Sequence, residues 1–297
     1  MEEHTIQKEI IPKDAWQMQA LEHEARVSAL LDEYLENRSK HIKEPVMDFL
    51  FEYYAFRPSH LAKWSPGLRY TLQYNDISEL PEYCEWKTEG DIAYLDISQF
   101  PEKRISSVKW IHKMLKNSRA HKPSFACFGM HEWAMVYKTS KPRHNQIPLR
   151  MEENELAEFV ESRPLLCTHF DAFRFFTKEA KPMNRYELSR EKFENMEQPG
   201  CIHTNMDLYK WAFKSWPWIS SSLVLDAFEL AYEARVIDMK ASPYDMREYG
   251  LEPIRIETEE GRKIYKEEQE KIFQKGKPVR AQIITEYEYL LSSLDTA

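Results

Sequence analysis

Three segments of the chain pair a cysteine with a histidine and a nearby carboxylate: Cys127, His131 and Glu132; Cys167, His169 and Asp171; Cys201, His203 and Asp207. In each, the histidine follows the cysteine by two or four residues, and the carboxylate follows the histidine by one to four. Aromatic and aliphatic residues surround all three segments. Such a setting strips water from ionisable groups and moves their proton affinities. Two chemistries fit. One is metal binding: Cys and His suit zinc, while His with carboxylate suits iron. The donors would come from His131, His169, His203, Asp207 and Glu132. His203 and Asp207, four apart, would share one helix face. The spacing matches no finger or ribbon, because no close CxxC pair and no HExxH is present. The other chemistry needs no cofactor. Asp171, Asp207 and Glu132 act as catalytic carboxylates with His131, each beside a basic or hydrogen-bonding neighbour (Arg174, Lys210 and His131). The plainer alternative makes the thiols small buried hydrophobes and the carboxylates structural ion pairs.

The neighbouring residues supply a substrate environment. Trp133 and Phe170 could stack on a flat base, with His169, His203, Arg174, Lys210 and Tyr244 as polar contacts. The same aromatics could equally be core. Net charge is −8, yet residues 101–150 hold eleven Lys/Arg against Glu102 and Glu132. Lys109, Lys113, Lys116 and Arg119 in that stretch are candidate phosphate contacts, because a local basic surface matters more to a phosphate backbone than total charge. Residues 76–96 are the acidic counterpart, with seven acids against Lys87.

The strings CFGMHEWAMVY, CTHFDAFRFF, EQPGCIHTNMDLYKWA and ASPYDM resemble a bacterial family whose members commonly carry the label 3-methyladenine DNA glycosylase. The likeness runs from about Val46 to the C-terminal helices. It implies a hydrolase that excises a modified base from DNA, in repair or defence, with modified DNA as partner. No Gly-rich helix-hairpin-helix and no uracil-glycosylase motif is present, so the resemblance assigns no residue a role. A metal-dependent (Zn or Fe) enzyme on a small molecule and a non-catalytic binding module stand as alternatives.

The elements that must position these residues are mostly helical. Apolar periodicity predicts helices over 15–37, from Pro45 to Phe56, and over 103–117, 153–163, 187–196, 203–216, 221–240, 258–275 and 279–293. The 15–37 stripe comprises Trp16, Met18, Leu21, Ala25, Val27, Leu30, Leu31 and Leu35. Leu68–Tyr74 and Ile92–Ile97 read as strands, and Leu165–Phe170 as a third. Helix 221–240 is apolar around most of its circumference, with one acidic stripe of Asp226, Glu229 and Glu233. That stripe could face a cavity or solvent. Asp238–Asp245 reads as a polar loop at its end. The fold class is mainly α, an α-rich α+β chain with a small sheet. It is read as a single domain over 1–297, with residues 1–14 a flexible lead.

With 42% hydrophobic residues, the chain can bury a core. Seven glycines and no GxGxxG, P-loop or GxSxG disfavour nucleotide-cofactor and serine-hydrolase readings. No apolar run approaches the roughly 20 residues that span a bilayer. Four cysteines in 297 residues favour reduced thiols and a cytoplasmic location.

Overall fold

The computed structural model describes residues 8–140, 142 and 146–296. Residues 1–7 of the expected flexible lead, and Lys141 and Arg143 of the basic stretch, lie outside the described residues. The fold is mainly α with a small mixed sheet. Among the described residues, no helix is long and apolar enough to cross a membrane.

Four strands form the sheet: β1 (Glu9–Ile11), β2 (Tyr70–Gln73), β3 (Trp86–Glu89) and β4 (Ile92–Leu95), in the order β1-β2-β4-β3. β1 runs parallel to β2, with Ile11 opposite Leu72; the other pairings are antiparallel. The β3–β4 hairpin turns at Gly90, whose φ of 62° is the left-handed conformation that tight hairpins need. Within the first fourteen residues, β1 covers Glu9–Ile11, and helix α1 (Lys13–Ser39) follows almost at once. α1 buries Trp16, His23, Val27, Leu31 and Tyr34. Met18, Leu21 and Leu35 of the expected stripe are exposed. The buried face is therefore narrower, and it includes His23, held by the carbonyl of Leu61 at 2.8 Å. Trp16 closes this core by stacking on Trp64, with its indole N–H donating to Gln73.

Helices α2 (Ile105–Ala120), α3 (Met130–Val136), α4 (Glu153–Glu161), α5 (Ile202–Lys214), α6 (Ser221–Ala241) and α7 (Glu259–Asp295) supply the rest of the framework. Several expectations are corrected. The segment after Pro45 is a short α-turn that continues as a π-helical turn over Phe49–Tyr53. Leu165 makes only an isolated bridge to Asn184, and Phe170 opens a one-turn helix, Phe170–Phe173. Of 187–196, only Phe193–Met196 is helical. α7 runs unbroken through Pro278 instead of splitting in two. Proline removes one backbone bond there, but apolar residues are buried on both sides of it (Ile272 and Phe273; Ile283, Ile284, Tyr287 and Leu290).

The chain makes two compact units. Unit 1 comprises Met1–Lys113, Leu208–Glu229 and Val279–Ala297; unit 2 comprises Met114–Asp207 and Leu230–Pro278. The sheet lies in unit 1. All three Cys/His segments fall in unit 2, apart from residues after Asp207.

Candidate functional site

Unit 2 brings the three segments together. His131 meets His203 edge-on at 4.5 Å between ring centroids, and His203 stacks on His169 at 5.2 Å. Around this histidine row the polar groups form two halves.

The first half is centred on Asp238, which is fully buried in the last turn of α6. Its carboxylate accepts from His131 Nε2 at 2.8 Å and from Arg235 Nη1 at 2.6 Å, and lies 3.7 Å from His203 Nε2. Arg235, one turn earlier, also donates to Glu132 at 2.9 Å. The other nitrogen of His131, Nδ1, lies 3.3 Å from Cys127 Sγ. Burial alone would lower the proton affinity of His131, but Asp238 and Cys127 outweigh it and hold its pKa well above the ordinary histidine value. Burial would likewise raise Asp238, yet His131 and His203 hold it far below the usual carboxylate range. His203 goes the other way: burial, reinforced by His131, keeps it well below the ordinary value, so it stays neutral. Burial and Asp238 push Glu132 up.

Local backbone explains how Cys127 faces His131. The chain turns through Phe128 (φ 49°) and Gly129 (φ 76°) before α3 begins. A left-handed phenylalanine is rare and costs on the order of 1–3 kcal/mol, so the surrounding packing must enforce it. Gly129 fits because a Cβ there would meet Ala241 at 3.2 Å and the Tyr265 ring at 3.4 Å.

The second half is centred on His169. Its Nδ1 pairs with Glu197 at 2.9 Å, and Glu197 also accepts from the Thr204 hydroxyl. Nε2 of His169 lies 3.9 Å from Asp207. Asp171 is half-buried beside it, 3.6 Å from exposed Arg174.

Both halves contain donor sets of the kind metals use. In His131, Glu132, His203 and Asp238, and again in His169, Asp171 and Asp207, one donor atom from each residue lies within 4.8 Å of the others. The first set already holds a cation, because Arg235 pairs with both Asp238 and Glu132. A divalent cation there would have to displace a buried guanidinium. The second set offers one nitrogen and two oxygens, a combination that suits iron or manganese.

A small cavity of about 10 Å³ adjoins the row. It is lined by Cys127, Cys167, Cys201 and the three histidines, together with Tyr265 and Gln269 of α7. The cysteines differ. Cys167 is buried and its thiol is pushed well up by burial and by the two other sulfurs; burial also pushes Cys201 up. Cys127 and Cys201 are half-buried.

The other expected site residues are distributed as follows. Trp133 is enclosed, its N–H donating to Ala241, with Phe159 edge-on and Arg150 over the ring. Phe170 is half-buried, edge-on to Phe193. Tyr244 is buried and pairs with Leu149. Lys210 belongs to unit 1, where its ammonium lies over Trp211 and Tyr54. Lys109, Lys113, Lys116 and Arg119 are all exposed on α2. The acidic stripe of α6 is ion-paired at the surface: Asp226 and Glu229 with Arg26, Glu233 with Lys275.

The sequence reading missed Arg235, Asp238, Glu197, Tyr265 and Gln269. Arg235 and Asp238 left a signal, an opposite-charge pair at i, i+3 inside an apolar helix. Asp238 is helical, which corrects its reading as the start of a loop.

No family model, no curated protein and no solved structure matches this chain.

Proposed function

We propose that this chain is a thiol-dependent hydrolase with Cys127 as nucleophile, His131 as the base that takes and returns its proton, and Asp238 as the group that orients His131. The observation that carries the reading is the linear array of Cys127 Sγ, 3.3 Å from His131 Nδ1, and His131 Nε2, 2.8 Å from Asp238. A nucleophile within reach of a base, itself fixed by a third group, is the geometry by which a thiol is activated for attack on an electrophilic carbon. The raised proton affinity of His131 keeps the proton of the Cys127–His131 pair on the imidazole, so that sulfur attacks as the thiolate and His131 returns the proton to the leaving group. Arg235, itself held by Glu132, keeps Asp238 in place. Among the three clustered thiols, Cys127 alone has this partner geometry and half-exposure together.

Iodoacetamide labelling followed by peptide mass spectrometry tests the reading. Cys127 should react first, ahead of the equally half-buried Cys201. His131→Gln and Asp238→Asn should each slow Cys127 by about tenfold or more, as loss of general-base assistance does. Equal labelling of Cys127 and Cys201, indifferent to His131, defeats the assignment.

A second reading keeps the N-glycosylase activity that the resemblance implies. What favours it is the placement of Asp171 and Asp207, both within 4.8 Å of His169 by their donor atoms. A carboxylate there would stabilise positive charge developing on a sugar, with the exposed cations of α2 meeting phosphate. Release of alkylated bases from duplex DNA, lost in Asp171→Asn or Asp207→Asn but kept in Cys127→Ser, would select it over the thiol reading.

A further inference from the structure

The thiol array leaves the His169 half of the cluster without a task. His169 is the N-cap of the one-turn helix Phe170–Phe173, which carries Asp171, and α5 supplies Asp207. His203, one turn before Asp207 on α5, stacks on the His169 ring at 5.2 Å, and Phe193 lies tilted against it at 6.1 Å. Packing therefore sets the orientation of the ring. On its Nδ1 side stands buried Glu197, with Oε1 at 2.9 Å and Oε2 at 3.0 Å. A carboxylate only accepts, so Nδ1 carries the hydrogen. Oε2 takes that bond and a second from the Thr204 hydroxyl, while Oε1 is buried and accepts none. A buried carboxylate with a bare oxygen is costly unless positive charge stands close.

Distances separate an ion pair from a metal site. His169 Nε2 lies 3.9 Å from Asp207 Oδ2. A charge-assisted N–H···O contact closes to about 2.7–2.9 Å, as His131 Nε2 does on Asp238 at 2.8 Å. Two donors on one ion, each about 2.1 Å from it, stand up to about 4.2 Å apart. The 3.9 Å separation is thus too long for a shared proton and fits a shared ion. His169, Asp171 and Asp207 each offer one atom within 4.8 Å of the others, so closure by about 0.6 Å at the widest pair suffices. Arg174, 3.6 Å from Asp171, is exposed and can turn to water without stranding a buried charge, as Arg235 in the first set cannot. We propose that His169 Nε2, Asp171 and Asp207 bind one divalent ion, Mn2+ or Fe2+, with Glu197 orienting the imidazole through its other nitrogen. One nitrogen and two oxygens select these ions over those that favour sulfur. A carboxylate behind a ligating histidine fixes its tautomer and raises its basicity. Three protein donors leave positions for water, whose proton affinity the ion lowers. The inference is independent of the thiol reading, whose array contains none of these residues, and it gives Asp171 and Asp207 a different task from the second reading.

The test uses the full chain, stripped with EDTA, dialysed and titrated with MnCl2 while the electron paramagnetic resonance of free Mn2+ is followed. Thermal shift with Mn2+, and with Fe2+ under argon, gives a second readout. One ion should bind per chain and raise the melting temperature. Glu197→Gln, which keeps an acceptor for Nδ1 and removes the charge, should weaken binding about tenfold, and Asp171→Asn and Asp207→Asn at least as much. Asp171 is half-buried, so Asp171→Asn carries the test if the buried changes prevent folding. Glu132→Gln, in the other donor set, and Cys127→Ser should leave the affinity unchanged. Binding that survives in Cys127→Ser while thiol labelling ignores His131 keeps the metal site and ends the thiol reading. Failure of both ions to bind at millimolar concentration, or binding that Asp171→Asn leaves unchanged or Glu132→Gln abolishes, overturns the inference and makes the His169 half an ion-pair cluster only.

Discussion

One helix, α6, carries carboxylates in two opposite settings. Asp226, Glu229 and Glu233 are ion-paired in the open, with Arg26 and Lys275 as exposed partners. Five residues past Glu233, Asp238 has no exposed surface and binds His131 and Arg235. The same functional group in the same helix is therefore decoration at one end and a keystone at the other. Burial makes the difference. Exposed ion pairs gain about 0–1 kcal/mol, since water screens them and ordering long side chains costs entropy. Buried Asp238 has exchanged its hydration for two cationic partners, and removing it strands His131 and leaves Arg235 only Glu132.

The sharpest way to break the contrast is Asp238→Ala. It leaves His131 uncompensated and Arg235 with Glu132 alone in a dry interior, where loss of one partner of a buried pair costs about 3–5 kcal/mol. Urea denaturation should show a loss of that order. A loss below about 1 kcal/mol would make Asp238 equivalent to its exposed neighbours and end the distinction.

pH separates the two ends next. His203, depressed when folded, resists a proton that the unfolded chain takes up, so stability falls as pH drops below about 6.5. Asp238 adds to this loss below about 4, since its low folded pKa confers stability that is present above the unfolded value and lost as pH falls through the folded one. His131, raised when folded, contributes stability that is complete below about 6.5 and is lost as pH rises towards its folded pKa. Melting curves should peak near pH 6.5, with limbs of up to about 1.4 kcal/mol per pH unit for each group. His131→Gln should flatten the alkaline limb and also weaken the acid one, because His131 helps to hold both Asp238 and His203 down. An alkaline limb unchanged by that substitution contradicts the buried His131–Asp238 pair.

Smaller again is the turn that aims Cys127. Gly129→Ala places a Cβ 3.2 Å from Ala241 on a residue at φ 76°. We expect a loss of about 1–2 kcal/mol from the left-handed conformation alone, together with slower labelling of Cys127. Unchanged labelling would show that the turn does not set the thiol's aim.

The two ends of α6 also show what sequence reveals and what it hides. Cys/His/carboxylate spacing singled out His131, His169, His203, Asp207 and the three thiols, because unusual chemistry clusters locally in the chain. Asp238 and Arg235 escaped, since their partners lie about a hundred residues away. Periodicity placed α6 correctly, yet a charged pair near a helix end looks like the beginning of a loop. Tyr265 and Gln269 were less legible still. They sit in a strongly charged segment of α7, and only packing against Gly129 and Gly200 turns them inward. Phe170 was misread because alternation over a few residues does not distinguish a strand from a one-turn helix.

The smallest effect is expected at the exposed end and is the stricter test of the comparison. Asp226 and Glu229 share one partner: Arg26 Nη2 lies 3.0 Å from the first and 3.1 Å from the second. Removing either acid leaves the guanidinium with the other and with water, so no charge is stranded. Asp226→Asn should therefore cost no more than about 0.5 kcal/mol, and most of that should vanish at 1 M salt, where the screening length falls to about 3 Å. Removing both acids should cost slightly more than the sum of the single changes, because each single variant keeps half the pairing. A cost above about 2 kcal/mol, insensitive to salt, would mean that this end of α6 is as dry in solution as the end that holds Asp238.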